Sequence, residues 1–390
     1  MPEIPIVLIG HKDHGKSTLI GRLLLDTKSV KESRWQEVKE VDESDGRKFE
    51  LAHLVDSFRE EREREMTMDT TRALLKGRER NYQLIDVPGH AELISNMLTG
   101  ASNAEAALLV VSIEEGIKEQ TRQHLEIAKL LGIEQLEVVV NKMDSVGFKQ
   151  LVFEKMKRKI ETILKEIGYD SEKIQFFPVS ARERDNVVAR SKLTPWYKGP
   201  TIMEFLEKMK KPESREDMPH KFICQDNYSD SIVGWEEDGT LKVGLKSIIL
   251  PQKKECRIES IKDSEGDLKK LKPGQTGGIT IRVLGQSLQK NDIERGVVIA
   301  SDNSDLLVKN ILSGEIFWID KPGCQKLIVE CGTASVNGVL LSPPTVIAGT
   351  KSPYQINLGS PIVTDPTGKT ILGKIVLKDK GKIIAVGNVL

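Results

Sequence analysis

Gly10, four residues, and then Gly15-Lys16-Ser17 is a spacing with one well-defined chemical use. It follows the apolar run Ile4 to Ile9 and opens a helix-like stretch from Thr18 to Leu25, the strand–loop–helix setting of a phosphate-binding loop. Glycines let the backbone N–H groups of a loop close around phosphates, and the helix N-terminus adds its dipole. Lys16 would reach the β- and γ-phosphates, and the Ser17 hydroxyl would ligate Mg²⁺. Gly10, His11, Lys12, Asp13, His14, Gly15, Lys16, Ser17 and Thr18 are thus expected around a nucleotide.

Three further segments say which nucleotide. Asp86-Val87-Pro88-Gly89-His90 follows the run Tyr82 to Ile85. At that strand end Asp86 can hold the Mg²⁺ shell while the Gly89 N–H reports the γ-phosphate. Asn141-Lys142-Met143-Asp144 ends another apolar run, Val138 to Val140. A carboxylate there accepts two hydrogen bonds from the N1–H and 2-amino edge of guanine, a donor pair that adenine lacks. Ser180-Ala181 ends a strand expected over Ile174 to Val179, where a backbone N–H would suit guanine O6. A lone Asp-x-x-Gly or Ser-Ala carries little meaning. Four such pieces in order, each after an apolar run, point to GTP and GDP with Mg²⁺ held by Ser17 and Asp86.

His14 inside the loop, Pro88-Gly89-His90, and the run Asp56 to Arg64 ahead of Thr67 together resemble the translation-factor class of GTPases. The resemblance implies roles that spacing alone does not. Thr67 would close over Mg²⁺ and the γ-phosphate, His90 would orient the attacking water, and Asp13 would shape the charge around the phosphates. His90, Lys16 and Asp13 are then the catalytic candidates, and Ser17, Thr67 and Asp86 the metal ligands. Water orientation by an imidazole suits a loose phosphoryl-transfer transition state, which needs positioning more than a strong base.

Two positions depart from that class. Glu65-Met66 stands where Gly-Ile is usual before the switch threonine, and Lys12 stands where valine is usual. Lys12 could pair with Glu65, lend positive charge beside the γ-phosphate, or simply be solvated.

The elements that must position these residues follow from periodicity and composition. The chain has 390 residues, enough for two or three domains, and equal counts of 58 basic and 58 acidic side chains. That balance gives no electrostatic sign of tight nucleic-acid binding. Cys224, Cys256, Cys324 and Cys331 lack metal-ligand spacing, no secretory signal precedes the first strand, and no apolar stretch could cross a membrane, so a cytoplasmic protein is expected. Up to about Lys210, strands alternate with helices such as Glu119 to Leu131 and Phe153 to Ile167. The charged stretch Lys28 to Glu65 reads as helical. Beyond the polar linker Lys210 to Pro219 come short β-rich runs between glycines. Lys221–Asp226, Thr240–Leu250, Cys256–Lys262, Gly277–Val283 and Gly296–Ala300 suggest one barrel; Ser313–Ile319, Lys326–Cys331 and Ile371–Leu377 suggest another. The expected fold is α/β: a doubly wound P-loop G domain (1–210) followed by two small β-barrel domains (211–303 and 304–390), as the resemblance also implies.

Within the class, two branches compete. Gly15 to Lys28, Gln120-Thr121-Arg122-Gln123-His124, Asp185 to Val188, and Ile316-Phe317-Trp318-Ile319 look like the GTPase subunit of sulfate adenylyltransferase. Its partner would be a separate ATP-using sulfurylase-type subunit, which would carry out the adenylylation. Residues 311–390 hold eight lysines but no arginine or histidine, thin equipment for folded RNA. His14, in contrast, resembles the elongation factors Tu and 1-alpha, for which aminoacyl-tRNA and the ribosome would be the partners. The sulfate branch is the expectation, and the elongation-factor branch its alternative.

Overall fold

The computed structural model describes residues 3–44, 50–55, 71–87, 106–209, 214–228, 231–263, 266–284 and 293–390. Thr67, Gly89 and His90 lie outside these residues, as do Glu65 and Met66. The chain divides into two compact units, with the change at Pro212/Glu213.

The first unit is built on a six-stranded sheet: β1 (Glu3–Ile9), β2 (Thr71–Lys76), β3 (Asn81–Asp86), β4 (Ala106–Ser112), β5 (Gln135–Asn141) and β6 (Phe176–Pro178). The spatial order is β2-β3-β1-β4-β5-β6. All neighbours run parallel except the edge strand β2, which is antiparallel to β3. Strand β4 is buried along its whole length, which is why its sequence AALLVVS shows no alternation. Its longer helices are α1 (Lys16–Asp26), α2 (Glu32–Ser44), α3 (Glu119–Leu130), α4 (Gln150–Ile167) and α5 (Ile202–Lys208). Leu19, Ile20, Leu23 and Leu24 of α1 pack with Ile6, Leu8, Tyr82 and Leu84 of the sheet in one core. Burial of such aliphatic faces contributes roughly 1.5–3 kcal/mol per side chain. Helix α5 starts on a capping box in which Thr201 and Glu204 satisfy each other's backbone N–H groups. The helical expectation for Lys28 to Glu65 holds for α2 and for 51–55 and fails at 28–31 and 50, which are turn or irregular; 45–49 and 56–65 lie outside the described residues.

The second unit contains two closed six-stranded rings of antiparallel strands. In the first, Lys246–Leu250, Val298–Ala300, Lys221–Tyr228, Ser231–Asp238, Thr276–Val283 and Lys254–Asp263 follow one another, and the last pairs back to the first. In the second the order is Leu307–Trp318, Thr350–Thr364, Ala334–Ser342, Lys326–Cys331, Lys374–Asp379 and Lys382–Asn388, closed by pairing of Ile316–Trp318 with Ala385–Gly387. The stretch Thr240–Leu250, expected as one strand, is broken by a turn at Gly244, whose φ of 86° favours glycine. The expected strand Ile371–Leu377 begins instead as a 3-10 turn, Ile371–Gly373.

A strand the composition conceals is Ser231–Asp238. Its end, Glu236-Glu237-Asp238, is buried despite three consecutive acids. Their carboxyl groups find donors within the unit, Asp238 as an ion pair and Glu236 and Glu237 through N–H groups. The Lys221 ammonium lies 2.9 Å from Asp365 and 3.2 Å from Asp238, and Arg215 also pairs with Asp238. Glu236 accepts the Lys221 N–H at 2.8 Å, while Glu237 accepts from Trp235 Nε1 at 3.0 Å and the Ile371 N–H at 3.2 Å. His220 Nε2 lies 2.8 Å from Ser247 Oγ, with its Nδ1 3.8 Å from Glu236.

Candidate functional site: a guanine-nucleotide cradle

The phosphate loop leaves β1 through Gly10 and enters α1 through Gly15. Both adopt positive φ, 136° and 88°. A Cβ on Gly10 would lie 2.2 Å from the Val110 carbonyl oxygen, and one on Gly15 would lie 2.5 Å from Asn141 Nδ2. Conformation and space therefore both require glycine. The Gly10 N–H donates to His124 Nδ1 of α3 at 3.3 Å, and His11 Nδ1 lies 2.7 Å from the Gln120 side-chain oxygen. Thus the string Gln120 to His124 serves as a brace for the loop, a role its sequence did not reveal.

Lys16 is buried, with its ammonium donating to the Gly10 and His11 carbonyls at 3.0 Å each. Burial lowers its pKa, while the carboxylates of Asp86 and Asp13 oppose that shift. Ser17 Oγ donates to Asp86 Oδ2 at 2.6 Å, and Asp86 Oδ1 is buried with no hydrogen-bond partner among the described residues. A hydroxyl beside an unmatched carboxylate oxygen at the mouth of a phosphate loop is a hard-oxygen donor set that fits Mg²⁺. Asp13 and Lys12 are exposed on the same loop, with Asp13 3.9 Å from His11 Nε2. Helix-ward of them His14 is fully buried, its Nδ1 3.1 Å from the Val110 carbonyl oxygen. Burial pushes its pKa down to about 4, so the ring is neutral and Nδ1–H is the donor.

The base-reading segments are tied to this loop by one amide. Asn141 Nδ2 donates to the His14 carbonyl at 3.0 Å, and its Oδ1 accepts the Ala181 N–H at 3.0 Å. A guanine O6 would share that N–H with Asn141. Ser180 is buried and accepts the Glu183 N–H at 3.1 Å, shaping the turn. Lys142 takes φ 60°, which turns the chain so that Asp144 is exposed; its ammonium lies 3.5 Å from Glu115 and 3.7 Å from Glu114.

Gly15, Thr18, Asn141, Lys142, Asp144 and Ser180 line one cavity of about 830 Å³, within the range of nucleotide-sized sites. Arg22, Asp26, Trp35, Leu51, Arg182 and Arg184 also line it, and sequence reasoning assigned none of these to the site. Arg22 donates to the Ala181 carbonyl at 3.0 Å and the Arg182 carbonyl at 2.8 Å. Arg184 takes a φ of 74°, a conformation glycine takes freely. Its guanidinium donates to Asp26 at 2.8 and 3.3 Å, which offsets the backbone cost of roughly 1–2 kcal/mol. The neighbouring Asn186 is structural: its amide bonds Pro178 O, Thr194 Oγ1 and the Ser191 N–H.

Residues 2–212 match the family described as the elongation factor Tu GTP binding domain. Over the whole chain, the similarity extends to curated proteins called elongation factor 1-alpha. That of Pyrobaculum calidifontis is 36% identical over 423 residues, covering 100% of this chain and 94% of the relative. That of Methanoculleus marisnigri is 33% identical over 413 residues, with 99% and 96% covered. That of Pyrococcus horikoshii is 34% identical over 424 residues, with 100% and 97% covered. These relatives carry the name of the elongation-factor branch, so they lend no support to the sulfate-pathway assignment expected from Gly15 to Lys28 and Gln120 to His124. By its phosphate loop, its Asn141–Asp144 segment and this match over more than half its length, the chain belongs to the elongation-factor-Tu-type family of GTP-binding proteins.

Proposed function

We propose that this protein is a Mg²⁺-dependent GTPase switch of the elongation factor 1-alpha kind, which binds aminoacyl-tRNA in its GTP form and delivers it to the ribosome. The observation that carries the nucleotide half is the Asn141 clip, which holds the phosphate loop and the Ser180–Ala181 turn on one cavity beside Asp144. Resemblance over the full chain to proteins of that name supports the carrier half.

Asp144 accepts the two donors of the guanine edge, and Lys16 turns from its carbonyl partners to the β- and γ-phosphates. Ser17, Asp86 and Thr67 would hold Mg²⁺, which would supply charge neutralisation at the phosphate oxygens. His90 orients the attacking water, the Gly89 N–H senses the γ-phosphate, and Asp13 tunes the loop's charge. Departure of phosphate frees both switch segments and lets the partner go. The organisation is a G domain over 1–210 with barrels over 211–303 and 304–390, in a cytoplasmic protein.

The test is protection of the aminoacyl ester. Purified protein with GTP should slow spontaneous deacylation of aminoacyl-tRNA, and with GDP it should not. Loss of GTP selectivity on Asp144→Asn, on the order of 10⁴-fold, would accompany it. The scarcity of arginine in residues 311–390 keeps a second reading in play. Absence of protection, with co-purification of an ATP-using sulfurylase-type subunit, would favour the sulfate branch.

A further inference from the structure

Helix α2 is strongly polar. Over Glu32–Ser44 its sequence holds three apolar residues, Trp35, Val38 and Val41. Trp35, the one large member, is half-buried and lines the nucleotide cavity. The segment that carries it is fastened on both sides. Ahead of α2, Ser29 Oγ accepts the Lys76 N–H of β2 at 2.8 Å. After α2, the Leu51 carbonyl sits so close to α1 that a Cβ on Gly21 would lie 2.3 Å from its oxygen. Leu54 and Val55 are buried just beyond. Leu51 and Leu25 line the same cavity as Trp35.

A purine whose edge is bonded by Asp144 still has two flat faces to keep from water. Leu25, Leu51 and Trp35 supply apolar surface in a cavity whose other walls are polar. An indole is the side chain best suited to cover a base or its ribose, since every base has a π-face and stacking ignores its hydrogen-bonding pattern. We infer that Trp35 is a positioning residue for the nucleotide, an aromatic wall packed against the guanosine moiety and fastened through α2 to the segment that leads toward Thr67. This rests on the guanine-nucleotide reading of the cavity and adds to it a contact from outside the four sequence motifs.

The test uses the full chain and GDP itself. Intrinsic fluorescence is followed on titration with GDP for wild type, Trp35→Phe, Trp35→Leu and Trp35→Ala, with competition against a fluorescent GDP giving affinities. Base–aromatic stacking predicts that Trp35→Ala weakens GDP binding roughly 5- to 100-fold. Trp35→Phe should restore most of the affinity while abolishing the fluorescence change, and Trp35→Leu, of similar bulk but not aromatic, should not restore it. A merely structural anchor for α2 would accept leucine as readily as phenylalanine. Equal affinity in all four proteins, equal rescue by leucine, or an undiminished fluorescence change in Trp35→Phe would overturn the inference while leaving the GTPase reading intact. Failure of wild type to bind GDP at all would instead remove the reading on which it rests.

Discussion

Two regions of this molecule bury charge, and they do so to different ends. In the nucleotide cradle, Lys16 is buried with its ammonium on two loop carbonyls, and Asp86 Oδ1 is buried beside the Ser17 hydroxyl with no hydrogen-bond partner among the described residues. In the second unit, Lys221, Arg215, Asp238 and Asp365 are withdrawn beside one another, and most of their capacity is spent inside the protein. Unmatched atoms occur in both: Glu236 Oε2 and His220 Nδ1 have no hydrogen-bond partner among the described residues. An orphaned buried atom is thus no marker of a binding site by itself. What distinguishes the cradle from the cluster is the setting: Asp86 sits against the Ser17 hydroxyl at the start of the phosphate-loop helix, whereas Glu236 and His220 sit against other barrel residues.

The comparison breaks most sharply at Lys221. Lys221→Met leaves Asp365 and Asp238 short of a cation in a dry setting, which should cost roughly 3–5 kcal/mol of stability and show as a large fall in Tm. Nucleotide affinity, measured below that Tm, should be unchanged, and a parallel loss of affinity would mean that the two regions are not independent. The converse is Lys16→Ala, which should slow single-turnover GTP hydrolysis roughly 10²–10³-fold with little change in Tm. A rate near wild type would show that the ammonium never leaves its carbonyl partners.

A smaller effect is expected at Asn141. Asn141→Ala frees the His14 carbonyl and the Ala181 N–H together, and affinity for both GTP and GDP should fall about 10- to 100-fold by equilibrium titration. A loss confined to one nucleotide would argue that the clip serves one switch state only. The smallest effect is a pH dependence in the barrel cluster. Burial raises the Glu236 pKa from 4.5 to about 9 and lowers that of His220 from 6.5 to about 4. Between 4.5 and 9 the folded protein keeps a proton on Glu236 that the unfolded chain has lost, so stability falls as pH rises through that window. Between 6.5 and 4 the unfolded chain takes up a proton that folded His220 refuses, so stability falls as pH drops through that one. The two slopes oppose below 6.5, and above it the Glu236 loss stands alone. Glu236→Gln should therefore gain on wild type by roughly 2–4 °C or more in Tm between pH 7 and 9. Parallel pH profiles for the two proteins would remove Glu236 from the account.

The cradle was legible because its requirements are local. Gly10 and Gly15 are demanded by φ and by close approach, and Lys16, Ser17, Asp86 and Asp144 sit at strand ends where apolar runs stop. The braces were not legible. Arg22 lies on a helix whose sequence reads as ordinary, and its bonds run to backbone 159 and 160 residues away. Nothing in the sequence ties Arg184 to Asp26, yet the guanidinium at that positive-φ position is bonded to a carboxylate that only folding brings near. Strand Ser231–Asp238 escaped notice because three consecutive acids read as solvated; Lys221 and Arg215 on Asp238, and N–H donors on Glu236 and Glu237, are what let them be buried. Thr350–Thr364 carries Pro353 and Pro361 within one continuous strand, and proline normally argues against such a run.

Closure of both rings bears on how this protein can be recognised. An open sheet offers a row of backbone donors and acceptors to which an extended segment can add itself. Here each barrel's first and last strands pair with each other, so that invitation is withdrawn. The exceptions among the described residues are short: Gly266–Leu268 outside the first ring, 3 residues long, and the pair Leu241–Lys242 with Lys270–Leu271, 2 residues each. Whatever docks on this unit must read side chains and shape.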